Sequence, residues 1–206
     1  MASWYDRQVL PHIIKAACGC ASLADDRRAI VSQATGRVLE LGLGAGANLP
    51  FYDTAAVREV IGVEPSAELR RIAAAAPRAA GLAVTVAEGE AEALAFDDQA
   101  FDTVVCTFTL CTVRDPGRAL AEARRVLRPG GAFLFCEHGA APDPDVARWQ
   151  RRLEPMWKRL FGGCHLTRPV SGGIGRCFTI DALEAGYQPK APRFAGWVER
   201  GRALAA

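Results

Sequence analysis

Short apolar runs and longer segments of helical periodicity alternate along most of this chain. Arg37 to Leu41, Glu59 to Glu64, Ala83 to Glu88, Phe101 to Phe108 and Ala132 to Glu137 read as five successive strands. Helical patterns occupy 66–76 and 116–127, and a further helix is expected near 46–56, broken by Pro50 and Asp53. Repeated strand–helix units imply an α/β fold: a doubly wound, mainly parallel sheet with helices on both faces. Ligands in such sheets sit at the carboxyl ends of the strands, where the strand order reverses.

Composition sharpens this picture. The 206 residues, half of them apolar, can close one sizeable core, so a single domain over 1–206 is expected. A formal charge of +2 is too near neutral to imply a nucleic-acid partner. The seven cysteines are an odd number, several lie in apolar segments, and no signal peptide precedes them. They read as reduced thiols of a cytoplasmic protein. Cys18-Gly19-Cys20 is too tight for a Cys-x-x-Cys pair and no second pair stands at finger spacing, so no metal site is expected. No apolar run approaches the ~18 residues that span a bilayer. Near the N-terminus Trp4, Val9, Leu10, Ile13, Ile14 and Ala17 suit an amphipathic helix, followed by a second helix ending near Gln33. Such a segment, about 1–33, serves as a lid over a site, as a weak membrane-surface anchor, or as plain packing.

The stretch VLELGLGAGANL, residues 38–49, carries the first chemistry. Gly42, Gly44 and Gly46 follow strand one, and glycine lets a ligand lie against the backbone. A dinucleotide site wants G-x-G-x-x-G, but here the spacing is G-x-G-x-G, with Ala47 in the last place. A phosphate loop would end in Gly-Lys-Ser/Thr, and this one continues Ala-Asn-Leu. Glu40 precedes the loop, and an acid suits a ligand ammonium better than a phosphate. All three points favour S-adenosylmethionine. Strand two ends in VIGVEPS, where Glu64, with Pro65 beside it, can accept both ribose hydroxyls. After strand three, Glu90 can accept from the adenine amino group and the N–H of Ala91 can reach a ring nitrogen. Thr107, at the end of strand four, completes the donor side.

With ELGLGAG, the acid of GVEP, GEAEALAFDDQAFDTVV and RVLRPGGAFLF in hand, the chain resembles the class I S-adenosylmethionine-dependent methyltransferases across roughly 36–140. That resemblance implies a Rossmann-like sheet of seven strands with the last antiparallel. CTFTLCTVRDP, GGAFLFCEHGAAP and WQRRLEPMWKRLFGGCHLTRP are similar to the small-molecule subgroup that includes animal alkyl-thiol methyltransferases. This implies a small, apolar acceptor, with thiol S-methylation favoured. N- or O-methylation of a lipid-like or aromatic molecule is the alternative, and a catalytically silent donor-binding module is a third. The longer apolar anchor of the animal proteins is lacking here. The family's sixth strand is expected to be missing or rudimentary: a helix at 180–185 is followed by Pro189 and Pro192, leaving Arg193 to Val198 as the last strand. The resulting ragged edge suits either a monomer or a homodimer whose partner covers it.

On the acceptor side, residues 141–206 are expected to cap the pocket. Leu110 and Cys111 follow strand four, and Glu137 and His138 follow strand five. His138 is the first candidate for a base or orienting group and His165 the second, although alignment alone can carry methyl transfer. His12 would need the N-terminal helix folded over the site. Trp149, Leu153, Met156, Trp157 and Leu160 have near-helical spacing, with Pro155 expected to kink or divide the segment. Cys111 and Cys164 carry one reservation, because thiols beside an acceptor pocket can bind soft metalloids.

Overall fold

The computed structural model describes residues 4–18, 23–189 and 191–205; Gly19 and Cys20 of the tight cysteine pair lie outside them. The apolar runs build one sheet from β1 (Gly36–Leu41), β2 (Val57–Val63), β3 (Val84–Ala87), β4 (Phe101–Thr107), β5 (Leu127–His138), β6 (Thr179–Tyr187) and β7 (Trp197–Leu204). The order is β3-β2-β1-β4-β5-β7-β6. Strands β1 to β5 are parallel, and β7 runs antiparallel to both of its neighbours. The chain order reverses between β1 and β4, so the carboxyl ends of these two strands flank the switch point.

Helices cover both faces: α1 (Trp4–Gln8), α2 (Leu10–Cys18), α3 (Ala24–Val31), α4 (Ala67–Ala74), α5 (Pro116–Val126), α6 (Pro144–Leu160), α7 (Val170–Ile174) and α8 (Arg193–Gly196). Their starts follow from capping chemistry. Ser66 Oγ accepts the N–H of Leu69 at α4, and Asp115 Oδ1 accepts that of Arg118 at α5, where Pro116 takes the first helical position. Strand alternation splits the core into two layers. Phe133 and Phe135 of β5 join Leu120, Val126 and Ile174 on one face. Leu134 and Cys136, one residue out of phase, join Ile30, Val31 and Val38 on the other. Each such fully buried side chain contributes roughly 1.5–3 kcal/mol.

Two expected elements differ, and of the two outcomes expected at Pro155 the division into two helices does not occur. Between β1 and β2 the only helical piece is a 3-10 turn at Leu49–Phe51, because Pro50 and the Asp53 turn leave no room for an α-helix. Residue Pro155 lies inside α6, which continues through it as one element. The sixth strand is present. Residues 179–187, expected to be helical at 180–185, form β6 and pair with β7 from Thr179↔Leu204 to Tyr187↔Trp197. Helix propensity in DALEA is a weak preference, and the open edge of β7 outweighs it. The pairing is reinforced across the strands by Arg202 to Asp181 and Arg200 to Glu184 (2.5 Å each). Pro189 and Pro192 fall after the strand ends, residues 193–196 form α8, and the last strand is 197–204. The sheet edge is therefore a charged, bulged strand, a design that discourages edge pairing.

Candidate active site

The carboxyl ends of β1, β2, β4 and β5 open onto a cavity of about 590 Å³. One side is backbone-rich. Gly42 has φ 65°, and a Cβ there would run into Thr109, whose Oγ1 donates to the Leu41 carbonyl (3.0 Å). Gly44 has φ 56°, and a Cβ there would meet only Gly42 O at 3.8 Å, so it would stand in the open cavity. Glu64, 6% exposed, clamps this loop: Oε2 accepts the Gly44 N–H (3.0 Å) and Oε1 the Ser66 N–H (2.9 Å). Burial raises its carboxyl, with the two N–H donors opposing.

Behind the loop lies a buried polar network. Glu40 accepts from Asn48 Nδ2 (2.9 Å) and Tyr52 OH (2.7 Å). Arg27 donates to Asn48 Oδ1 (2.8 Å) and Thr107 Oγ1 (2.7 Å), and Thr107 Oγ1 also accepts from Asn48 Nδ2 (2.9 Å). Burial pushes Glu40 up to about 7, against the pull of Tyr52 and Arg27. The network ties α3, β1 and β4 together under the cavity floor. Sequence reasoning missed Arg27, Asn48 and Tyr52: no local pattern marks them, since their partners lie up to 80 residues away.

The other side of the cavity is apolar and thiol-bearing. Phe108, Cys111, His138, Trp157, Phe161 and Cys164 line it, and Ile14, Cys18 and Leu23 close it from the N-terminal helices. Phe108 adopts φ 53°, a strained conformation for an aromatic residue, with the Arg27 guanidinium 4.9 Å from its ring centre. Beneath the loop after β4, the fully buried Glu137 accepts N–H groups from Thr109 (2.7 Å), Leu110 (3.0 Å) and Cys111 (3.3 Å). Its carboxyl points at this loop and is pushed up to about 8 by burial. His138 Nε2 lies 3.0 Å from Cys164 Sγ. Hydrogen bonding to Cys164, together with His138, holds the Cys111 thiol well below the usual thiol range despite its burial.

A family profile described as a methyltransferase domain matches residues 39–135. The chain is 42% identical over 155 residues to the thiol S-methyltransferase TMT1B of Rattus norvegicus, a match covering 74% of this chain and 63% of that protein. It is 36% identical to the demethylmenaquinone methyltransferase of Thermus thermophilus, over 83% of this chain and 78% of that one. The chain belongs to the class I S-adenosylmethionine-dependent methyltransferases. Its cofactor is S-adenosylmethionine. A Thermotoga maritima structure described as an S-adenosylmethionine-dependent methyltransferase, possible histamine N-methyltransferase, superposes with TM-score 0.68 over 98% of both chains at 20% identity, showing the shared fold.

This methyltransferase has a cradle that fits the cofactor: a space at Gly44 that a Cβ would enter, beside a buried carboxylate at the end of β2. Of the residues expected from the sequence, Glu40, Gly42, Gly44, Glu64, Pro65, Glu90, Ala91, Thr107 and His138 all line the one cavity. Gly46 does not. It packs at Ala73, Ala76 and Leu49, supporting the loop from behind. His165 does not line the cavity: its Nδ1 lies 3.0 Å from Glu154 Oε1. Among the described residues, no helix is long and apolar enough to cross a membrane.

Proposed function

We propose that this methyltransferase transfers a methyl group to the sulfur of a small, apolar thiol. The observation that carries the reading is the single cavity in which a glycine-and-carboxylate cradle meets an apolar, thiol-lined half at Thr107 and His138. The 42% identity to an animal thiol S-methyltransferase supports the choice of acceptor, although the match spans 63% of that protein.

S-adenosylmethionine supplies a methyl group already activated on a sulfonium. Glu64 would hold the ribose, the Gly42–Gly44 backbone would lie along the amino-acid portion, and Glu90 and Ala91 would meet the adenine. Phe108, Trp157 and Phe161 exclude water from the acceptor and favour an apolar substituent. His138 orients the acceptor sulfur. A thiol with pKa ~8.5 is already a few per cent thiolate at neutral pH, so no strong base is required. Residues 1–33 act as a lid, supported by Ile14, Lys15 and Leu23 in the cavity wall. Residues 141–206 supply the cap through Trp157, Phe161 and Cys164.

The test is incubation with isotopically labelled donor and a panel of alkyl thiols, amines, phenols and lipids, with products read by mass. A methylated thioether is expected. A clear amine or phenol product with no thioether would end the thiol assignment.

A further inference from the structure

Three side chains of the acceptor half come from three separate elements, and of these only His138 has a role so far, orienting the acceptor. Cys111 stands in the loop after β4, His138 at the end of β5 and Cys164 in the loop after α6. Their Sγ, ring nitrogen and Sγ atoms all lie within 4.8 Å of one another, and both cysteines are buried. We propose that Cys111, His138 and Cys164 form a site for a zinc-class divalent cation whose fourth position opens into the cavity.

The spacing suits the ion. Zinc–sulfur and zinc–nitrogen bonds of about 2.3 and about 2.0 Å place tetrahedral ligand atoms roughly 3.6–3.8 Å apart. The donors therefore need to shift by no more than about 1 Å, the difference between 4.8 and 3.8. The frame around them is held independently. The His165 N–H donates to the Cys111 carbonyl (2.8 Å), Glu137 takes the Cys111 N–H, and Arg168 donates to the Leu110 carbonyl. The ligand set is two soft sulfurs and an imidazole, which selects zinc-like ions over magnesium or calcium. The nearby carboxylate of Glu137 is engaged by backbone N–H groups and does not line the cavity.

A second observation points to a ligand. His138 Nδ1 is buried without a hydrogen-bond partner, Trp157 Nε1 is buried with only the Cys164 sulfur to donate to, and both residues line this cavity. Buried polar atoms are rarely left unpaired, and an indole N–H beside the Cys164 sulfur suits an anionic sulfur at the site. Three protein ligands with one open position are the pattern of zinc sites that take a substrate or water. In this methyltransferase the fourth ligand would be the acceptor itself, a thiol that releases its proton to solvent and binds as thiolate. That last part rests on the thiol reading above.

The test uses the full chain freed of metal and titrated with cobalt(II), with zinc competition giving the affinity. One equivalent is expected, with thiolate-to-cobalt charge-transfer bands and visible bands of a tetrahedral ion. Losing an outer-shell partner alone costs roughly 10–100-fold in metal affinity, so Cys111→Ser and Cys164→Ser should each weaken zinc by more than about 100-fold. Retained binding of S-adenosylhomocysteine shows that both variants are folded. Adding butanethiol to the cobalt-loaded chain should strengthen the charge-transfer bands, while butylamine and butanol should not. Wild type that takes cobalt no more tightly than the doubly substituted chain, or without thiolate bands, overturns the site. Thiol methylation by a chain that binds no metal overturns this proposal and leaves the thiol reading standing. A metal-loaded chain that methylates amines alone, with no spectral response to thiol, overturns the acceptor as fourth ligand together with the thiol reading.

Discussion

Replacing Glu64 by alanine removes the one buried carboxylate at the end of β2. Each of its oxygens already accepts one backbone N–H, at 3.0 Å from Gly44 and 2.9 Å from Ser66, which leaves each a further lone pair on a residue that lines the cavity. Two ribose hydroxyls bound there would make charge-assisted hydrogen bonds worth about 1.5–3 kcal/mol each. Taking the lower end for both gives about 3 kcal/mol, a weakening of roughly 150-fold in Kd. Glu64→Gln keeps one acceptor oxygen and turns an amide N–H₂ toward a donor, so it should lose about tenfold. The alanine variant also strands the Gly44 and Ser66 N–H groups. Because Gly44 itself lines the cavity rather than the core, that cost should stay near the low end of about 1–3 kcal/mol per group. Isothermal calorimetry with S-adenosylhomocysteine reads the affinities, and urea unfolding reads the stability. A folded Glu64→Ala protein that binds within about threefold of wild type, when about 3 kcal/mol was expected, would falsify the nucleoside assignment.

Gly42→Ala should cost about 2 kcal/mol in urea unfolding, through a left-handed backbone and the loss of Thr109 from the Leu41 carbonyl; an unchanged midpoint would refute the close packing. Burial pushes Glu40 up to about 7 and Glu137 up to about 8, while both titrate near 4.5 when unfolded. The folded chain then holds more protons in this window, so stability present below pH 4.5 is lost as pH rises through 7 to 8. Each group contributes a slope of up to about 1.4 kcal/mol per pH unit. Melting temperature should therefore fall with rising pH, and more gently in Glu137→Gln; equal slopes would remove Glu137 from this account. His165→Ala should leave turnover within about threefold, since a lost general base costs roughly 100-fold or more. Glu154→Ala should matter more, because Glu154 anchors the Leu166 and Thr167 N–H groups (3.1 and 2.9 Å) beside Cys164. Faster proteolysis or amide exchange across 162–168 is the readout, and unchanged exchange would count against the anchor.

The sequence by itself determined the parts of this protein whose physics is local. The first five strands follow from apolar runs whose ends the structure moves by a few residues. The glycine loop and Glu64 were legible because a close backbone approach and an acid at a strand end each need particular residues at a particular spacing. Tertiary structure alone decided the rest. DALEA carries a helical preference, yet β6 forms there because β7 offers an unpaired edge with Arg200 and Arg202 opposite Glu184 and Asp181. The Arg27–Asn48–Glu40 network joins residues with no shared pattern, and burial rather than sequence spacing selects its partners. Likewise, His138 and His165 look alike as candidates along the chain. Only the packing of the cap turns one toward Cys164 and the cavity and the other toward Glu154. Cys111, His138 and Cys164 stand 27 and 26 residues apart, at none of the short spacings that announce a metal site. Cys111 and His138 meet because the parallel strands β4 and β5 deliver their carboxyl ends to the same place, and the loop after α6 brings Cys164 against His138.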